Sequence, residues 1–192
     1  MSSWKTAILL FAVLTAVVGV VYPVAFTLVV GVAFPFQAHG SLVMDAEGRV
    51  VGSALIGQNV TAPGYFQGRP SATPYTAYNA SHSGASNLGP TNPVLLEEVA
   101  GRLAALRDAG VTGQVPSDLV QASGSGLDPH ISLEAALVQV PAVAKARGLP
   151  EEAVAALVRA EAIDPLVPFA GPHVNVLSLN RALDDLAAGQ SP

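Results

Sequence analysis

The chain contains no cysteine. That absence excludes a disulfide framework, a thiolate nucleophile and a cysteine-based metal centre, so any folded part must be held by ordinary packing. Charge is scarce as well: Asp, Glu, Lys and Arg make up 12% of the 192 residues, against about 25% in a typical soluble domain. Part of the chain is therefore not built for water. Nine basic residues stand against fourteen acids, a net charge of -5, which leaves no basic stripe for a nucleic-acid partner. Histidine is sparse and scattered, at positions 39, 82, 130 and 173, far from the close spacing that sets metal ligands on one element. No metal site is expected, and no internal repeat is found.

The missing charge is concentrated in one place. From Thr6 to Met44 there is no Asp, Glu, Lys or Arg, and TAILLFAVLTAVVGVVYPVAFTLVVGVAFPF is almost continuously apolar. A spanning helix needs about 20 such residues to cross about 30 Å of hydrocarbon, and residues 7–30 supply them. A cleaved signal has an apolar core of only about 7 to 15 residues before a small-x-small cleavage site, and AHG at 38–40 is a poor one. Residues 1–37 therefore read as a retained transmembrane anchor, and 38–192 as one domain. Pro23 interrupts the run, so a neighbouring helix or a local adjustment must satisfy the carbonyl it frees. Lys5 precedes the span and the first basic residue beyond it is Arg49. The positive-inside rule then keeps the N-terminus in the cytoplasm and exports the rest.

Beyond the span, SLVMDAEGRVVGSALIG reads as a β-hairpin or short meander with Gly48 in the turn. Residues 61–93 show no apolar periodicity, and loops of about that length are functional or disordered. Tyr65, Phe66, Tyr75 and Tyr78 argue against disorder. Asn92 can cap a helix that opens on Pro93, with Leu95, Leu96, Val99, Leu103 and Leu106 at helical spacing up to Gly110, which predicts one buried face. Ser132 caps a second helix that ends at Gly148, with Pro141 as an expected kink. Pro150, Glu151 and Glu152 open a third, with Val154, Leu157 and Val158 facing inward. VNVLSLN at 174–180 reads as a strand buried on both faces, and RALDDLAA as a short closing helix. The expected class is α+β: one transmembrane helix followed by a single compact extracytoplasmic domain.

The stretch ASGSGLDPHIS, residues 122–132, holds the ingredients of several sites. A serine hydrolase elbow requires G-x-S-x-G, whereas Ser125 has Gly124 and Gly126 as direct neighbours and Ser at 123. A tethered hydrolase using Ser125, Asp128 and His130 is the alternative function. A phosphate cradle could use the glycine-rich amides and the helix that follows, but the Walker lysine is missing: the only lysines are Lys5 and Lys145. The favoured reading is a shaped entry to the helix capped by Ser132. The paired acids Glu97/Glu98, Glu151/Glu152 and Asp184/Asp185 diverge on a helix and read as solvated faces. YFQGRPSATPY at 65–75 mixes aromatics with Arg69 and Pro70, a composition suited to a protein-binding surface.

Taken together, GSALIGQ (52–58), YFQGRPSA (65–72), SNLGPTNP (86–93), DLVQASGSGLDPHIS (118–132) and VNVLSLNRALD (174–184), in that order behind one N-terminal span, closely resemble the C subunits of bacterial Kdp potassium-transporting ATPases. The resemblance covers nearly the whole chain. It implies a non-catalytic subunit of an inner-membrane complex, with a channel-like potassium-translocating subunit and a P-type ATPase subunit as partners. Family members are described as catalytic chaperones that raise the pump's ATP affinity. No tightly bound cofactor is expected, and ATP would be reached through the ATPase subunit. Were nucleotide sensed directly, the candidate stretch would be Ser123, Gly124, Ser125, Gly126 and Gln139, although it carries no ABC-type LSGGQ signature. The candidate partner contacts are Tyr65, Phe66, Arg69, Pro70, Asn87, Asn92, Asp128 and His130.

Overall fold

The uncharged N-terminal run is helical in the computed structural model, which describes residues 2–45, 47–165 and 171–189. Helix α1 covers Ser3–Ala16, a π-helical turn covers Val17–Val21 and α2 covers Tyr22–Ala33. The 31 residues form one helix, long and apolar enough to cross a membrane, and its apolar window is 0% buried. It extends beyond 7–30 at both ends. Pro23 has no amide to return to the carbonyl four residues back. The chain answers with a widened turn, in which the Tyr22 amide reaches the Val17 carbonyl five residues before it. A short helix α3, Pro35–Ala38, follows.

The chain divides into two compact units after Leu42. Strands β1 (Leu42–Met44) and β2 (Val50–Ser53) form a two-stranded sheet. At the turn between them the Asp45 carboxylate accepts from the Glu47 and Arg49 amides at 3.1 and 2.8 Å. Residues 54–92 contain neither helix nor strand. Helix α4 (Pro93–Asp108) begins where its cap chemistry places it, with Asn92 Oδ1 accepting from the Val94 amide. Its expected buried stripe is corrected. Leu106 alone is buried and Val99 packs partly against the core, while Leu96 is 60% exposed. The helical period was right, but only the last turns of α4 lie against this chain.

After a 3-10 turn at Ser117–Leu119 come β3 (His130–Ser132), α5 (Leu133–Arg147), α6 (Glu151–Ala160), β4 (His173–Asn175) and α7 (Val176–Gly189). Strands β3 and β4 pair antiparallel, with Ile131 opposite Val174. Ser132 Oγ accepts from the Ala135 amide, α5 continues through Pro141, and Gly148 at φ +67° closes it in the left-handed conformation. Ala135, Ala136 and Ala144 let α5 approach its neighbours closely. Val154 and Val158 of α6, Ile131, Val174, and Leu179 and Leu183 of α7 complete the core. The architecture is α+β.

Two expectations fail here. The strand predicted for 174–180 ends at Asn175, whose Oδ1 accepts from the Leu177 and Ser178 amides at 3.1 and 3.2 Å. This is the N-capping pattern, and α7 then buries Val176, Leu179, Asn180 and Leu183, the i, i+3, i+4, i+7 set of a helix face. Conversely, His130–Ser132 is a strand rather than a simple lead-in.

Candidate functional site

The glycine-rich loop closes against the irregular segment. Ser123 donates its amide to the Pro70 carbonyl (3.4 Å), Gly126 to the Ser123 carbonyl (3.2 Å), and the Ser125 carbonyl accepts from the Gly84 amide (2.8 Å). Ser71 Oγ donates to the Gly126 carbonyl at 2.7 Å. Gly126 sits at φ +68°, and a Cβ there would lie 2.6 Å from the Gly84 carbonyl oxygen, so only glycine permits this approach. Ser125 Oγ accepts from the Leu127 amide at 3.1 Å, and among the described residues no hydrogen bond joins it to His130. Gly124 is the open member of the loop: a Cβ on it would meet nothing within 4 Å.

Beside this loop lies a charged cluster. Arg69 Nη1 donates to Asp128 Oδ2 at 3.1 Å, and Asp128 Oδ1 accepts from the His130 amide at 3.0 Å with the ring Nδ1 at 3.4 Å. The His130 and His173 rings meet edge to face, 5.0 Å apart, where β3 pairs with β4. Burial pushes the Asp128 carboxyl up. Hydrogen bonds from the His130 ring and amide, with Arg69, outweigh that and hold its pKa below the ordinary range. Burial also raises the Tyr78 hydroxyl, with the Asp128 charge adding to the effect. The Tyr78 hydroxyl donates to the Arg69 carbonyl at 2.5 Å. A cleft of about 590 Å³ opens along Arg69, Asp118, Asp128, His130, Glu134 and His173. The Asp118 carboxylate already accepts from the Ser132 amide at 2.7 Å.

The remaining candidates are held by the domain itself. Phe66 is 0% exposed, which corrects its assignment as a partner contact: the side chain fills the core. Tyr65 lies under the Arg147 guanidinium, 4.1 Å from its ring centroid, and its hydroxyl donates to Asp184 at 3.3 Å. Pro70 offers its carbonyl to Ser123, Asn92 caps α4, and exposed Asn87, at φ +53°, donates to the Ala85 carbonyl. Gln139 is buried, accepting from the Gln67 amide and donating to the Gln67 and Ala135 carbonyls. Gln139 and the Ser123 and Gly126 amides thus all have partners within the domain. Tyr78 and Asn180 were not singled out as site residues. Tyr78 is wedged where a Cβ on Gly57 would overlap its ring and one on Gly68 would meet its hydroxyl at 2.8 Å. The signal that could have found it is the pair of glycines flanking so many polar residues.

Fold and cluster together define a class: a chain with one potential membrane span and an α+β domain whose conspicuous polar residues brace its own loops. Comparison with known proteins places it further. A family model described as KdpC, K+-transporting ATPase, c chain, matches residues 4–185. The potassium-transporting ATPase KdpC subunit of Methanosphaerula palustris is 55% identical over 183 residues, covering 95% of this chain and 97% of that one. That of Geobacter sulfurreducens is 53% identical over 187 residues, with 97% and 99% covered. That of Burkholderia ambifaria is 56% identical over 183 residues, with 94% of each covered. The chain belongs to the KdpC family of potassium-transporting ATPase subunits.

Proposed function

We propose that this chain is the accessory, non-hydrolytic subunit of an ATP-driven potassium uptake pump. It spans the bacterial inner membrane once, with its N-terminus in the cytoplasm and the α+β domain outside the cell. A channel-like potassium-translocating subunit and a P-type ATPase subunit are its partners, and the latter hydrolyses ATP on the cytoplasmic side. One observation supports the reading: the Asp128, Ser125 and Gln139 side chains, among those best suited to chemistry, are engaged in bracing the loops around them. The domain acts as a shaped body. The orientation rests on Lys5 before the span and on Asp45, Glu47 and Arg49 as the first charges beyond it.

From outside the cell such a domain raises ATP affinity only through allostery. It favours one pump state over another, reciprocally with potassium binding, by a coupling of about 1–3 kcal/mol. Two measurements on the full chain test this. In sealed, oriented vesicles, protease added on the extracytoplasmic side should remove the domain, and protease on the cytoplasmic side should spare it. Titration of the purified full-length chain with a fluorescent nucleotide analogue should show no saturable binding. Saturable micromolar binding, or a domain cut from the cytoplasmic side, defeats the reading and favours direct nucleotide contact.

A further inference from the structure

At its centre the N-terminal rod has fewer hydrogen-bond donors than acceptors. The Tyr22 amide is committed to the Val17 carbonyl, five residues back. Helix α2 starts at Tyr22, so its regular ladder opens with the Ala25 amide on the Val21 carbonyl. Three carbonyls, those of Val18, Gly19 and Val20, lie between, and only Pro23 and Val24 are placed to donate to them. Proline has no amide. One N–H therefore faces three carbonyls, and the widened turn adds to the deficit that Pro23 begins.

Side chains of this chain do not make up the difference. A Ser or Thr can donate back to a helical carbonyl three or four residues before it, but positions 21–24 hold Val21, Tyr22, Pro23 and Val24. The deficit also lies at mid-depth, because Val18 is the central residue of Ser3–Ala33. Acyl chains carry no donors and the hydrocarbon core holds no water, so a carbonyl left bare there is costly unless protein supplies a partner. The approach is open. A Cβ on Gly19 would meet nothing within 4 Å, so its own chain does not demand a glycine there, and glycine weakens a helix relative to alanine. Ala12 and Ala16 continue the small residues at helical spacing, which leaves room for a second backbone.

We propose that the carbonyls of residues 18–20 dock a hydroxyl or carboxamide donor carried at mid-membrane by a transmembrane helix of another subunit of the potassium-transporting complex. A second copy of this chain does not fit. In a parallel pair Thr15 and Thr27 would stand about 6 and 12 Å along the axis from Gly19, beyond the reach of a threonine, and the Tyr22 ring is stacked on Phe26, 5.9 Å between centroids. The docking rests on the reading of this chain as a membrane-spanning pump subunit and adds where, and by what chemistry, the span is held.

The test uses the assembled complex and an affinity-tagged full-length chain. Pro23→Ala restores an amide and makes the rod more regular, yet retention of the other subunits should fall about fivefold as the donor loses an acceptor. Gly19→Leu covers the carbonyls and should lower retention about tenfold or more. Val32→Leu, near the far end of the rod, should leave it unchanged. All three variants should remain in alkaline-washed membranes, so that loss of partners is not loss of insertion. A benzoylphenylalanine at position 20 should form an adduct with another subunit on irradiation in membranes. Retention unchanged in both Pro23→Ala and Gly19→Leu, an equal loss in Val32→Leu, or adducts confined to lipid or to a second copy of this chain would overturn the proposal. If the wild-type chain is itself washed off the membrane or retains no pump subunit, the subunit reading fails instead, so the two failures are distinguishable.

Discussion

The helical residues 132–160 and 173–189, on one side, and residues 54–92, on the other, belong to one domain but reach order by different routes. In the first, apolar side chains at helical spacing build the core, with Ala135, Val140, Val154, Val158, Leu179 and Leu183 buried. In the second there is no helix or strand to satisfy the backbone. Side chains from the helices do it instead. Asn180 accepts from the Phe66 amide at 2.8 Å and donates to the Phe66 carbonyl at 2.9 Å. Gln139 treats Gln67 in the same way, and Arg147 Nε donates to the Gly64 carbonyl at 2.7 Å. Each carboxamide stands in for a neighbouring strand, offering one acceptor and one donor to a single residue. Buried backbone must find partners, and two amide side chains provide them where no sheet is present.

The contrast can be broken at two points and checked at a third. Asn180→Leu keeps the branched shape and leaves the Phe66 amide and carbonyl without partners, so it should cost about 3 kcal/mol in denaturant unfolding of the full chain. A loss below about 1 kcal/mol would mean that packing of the Phe66 ring alone fixes the segment. Gly57→Ala drives a methyl into the Tyr78 ring and should cost about 2 kcal/mol. Gly124→Ala, facing open space, serves as the matched control and should change the melting temperature little.

Asp128→Asn sharpens the contrast by pH. The folded-state pKa of Asp128 is depressed, so its contribution is complete above the ordinary carboxylate value of about 3.9 and is lost as pH falls through the lower folded value. The cluster is partly open to solvent, and screening limits the effect to about 1 kcal/mol at neutral pH. Thermal melts at pH 7 should separate the variant from the wild type, and melts in strong acid should bring the two together. A difference that persists in acid would show that charge is not what Asp128 contributes.

How much of this was legible depends on distance along the chain. Asn92, Ser132 and Gly148 mark helix ends through contacts within a few residues, and local chemistry of that kind can be read directly. Strand β3 was invisible because its partner is Val174, far along the chain. The supposed strand at 174–180 alternated well enough, but the cap made by Asn175 redirects it into α7. By composition Phe66 and Arg69 both suit an interface; Phe66 is buried in the core, and Arg69 is partly exposed. Their partners Asn180 and Asp128 lie 114 and 59 positions away, and no local pattern announces either bond.

The wide turn at Val17–Val21 has a consequence for anything that grips the N-terminal rod. One surplus residue advances the helical phase by about 100°. A stripe of side chains that faces a neighbour in the first half is swung round to a different azimuth in the second. A companion helix following one straight seam would lose contact midway. The rod is thus suited to being held by two different neighbours, one for each half of its length.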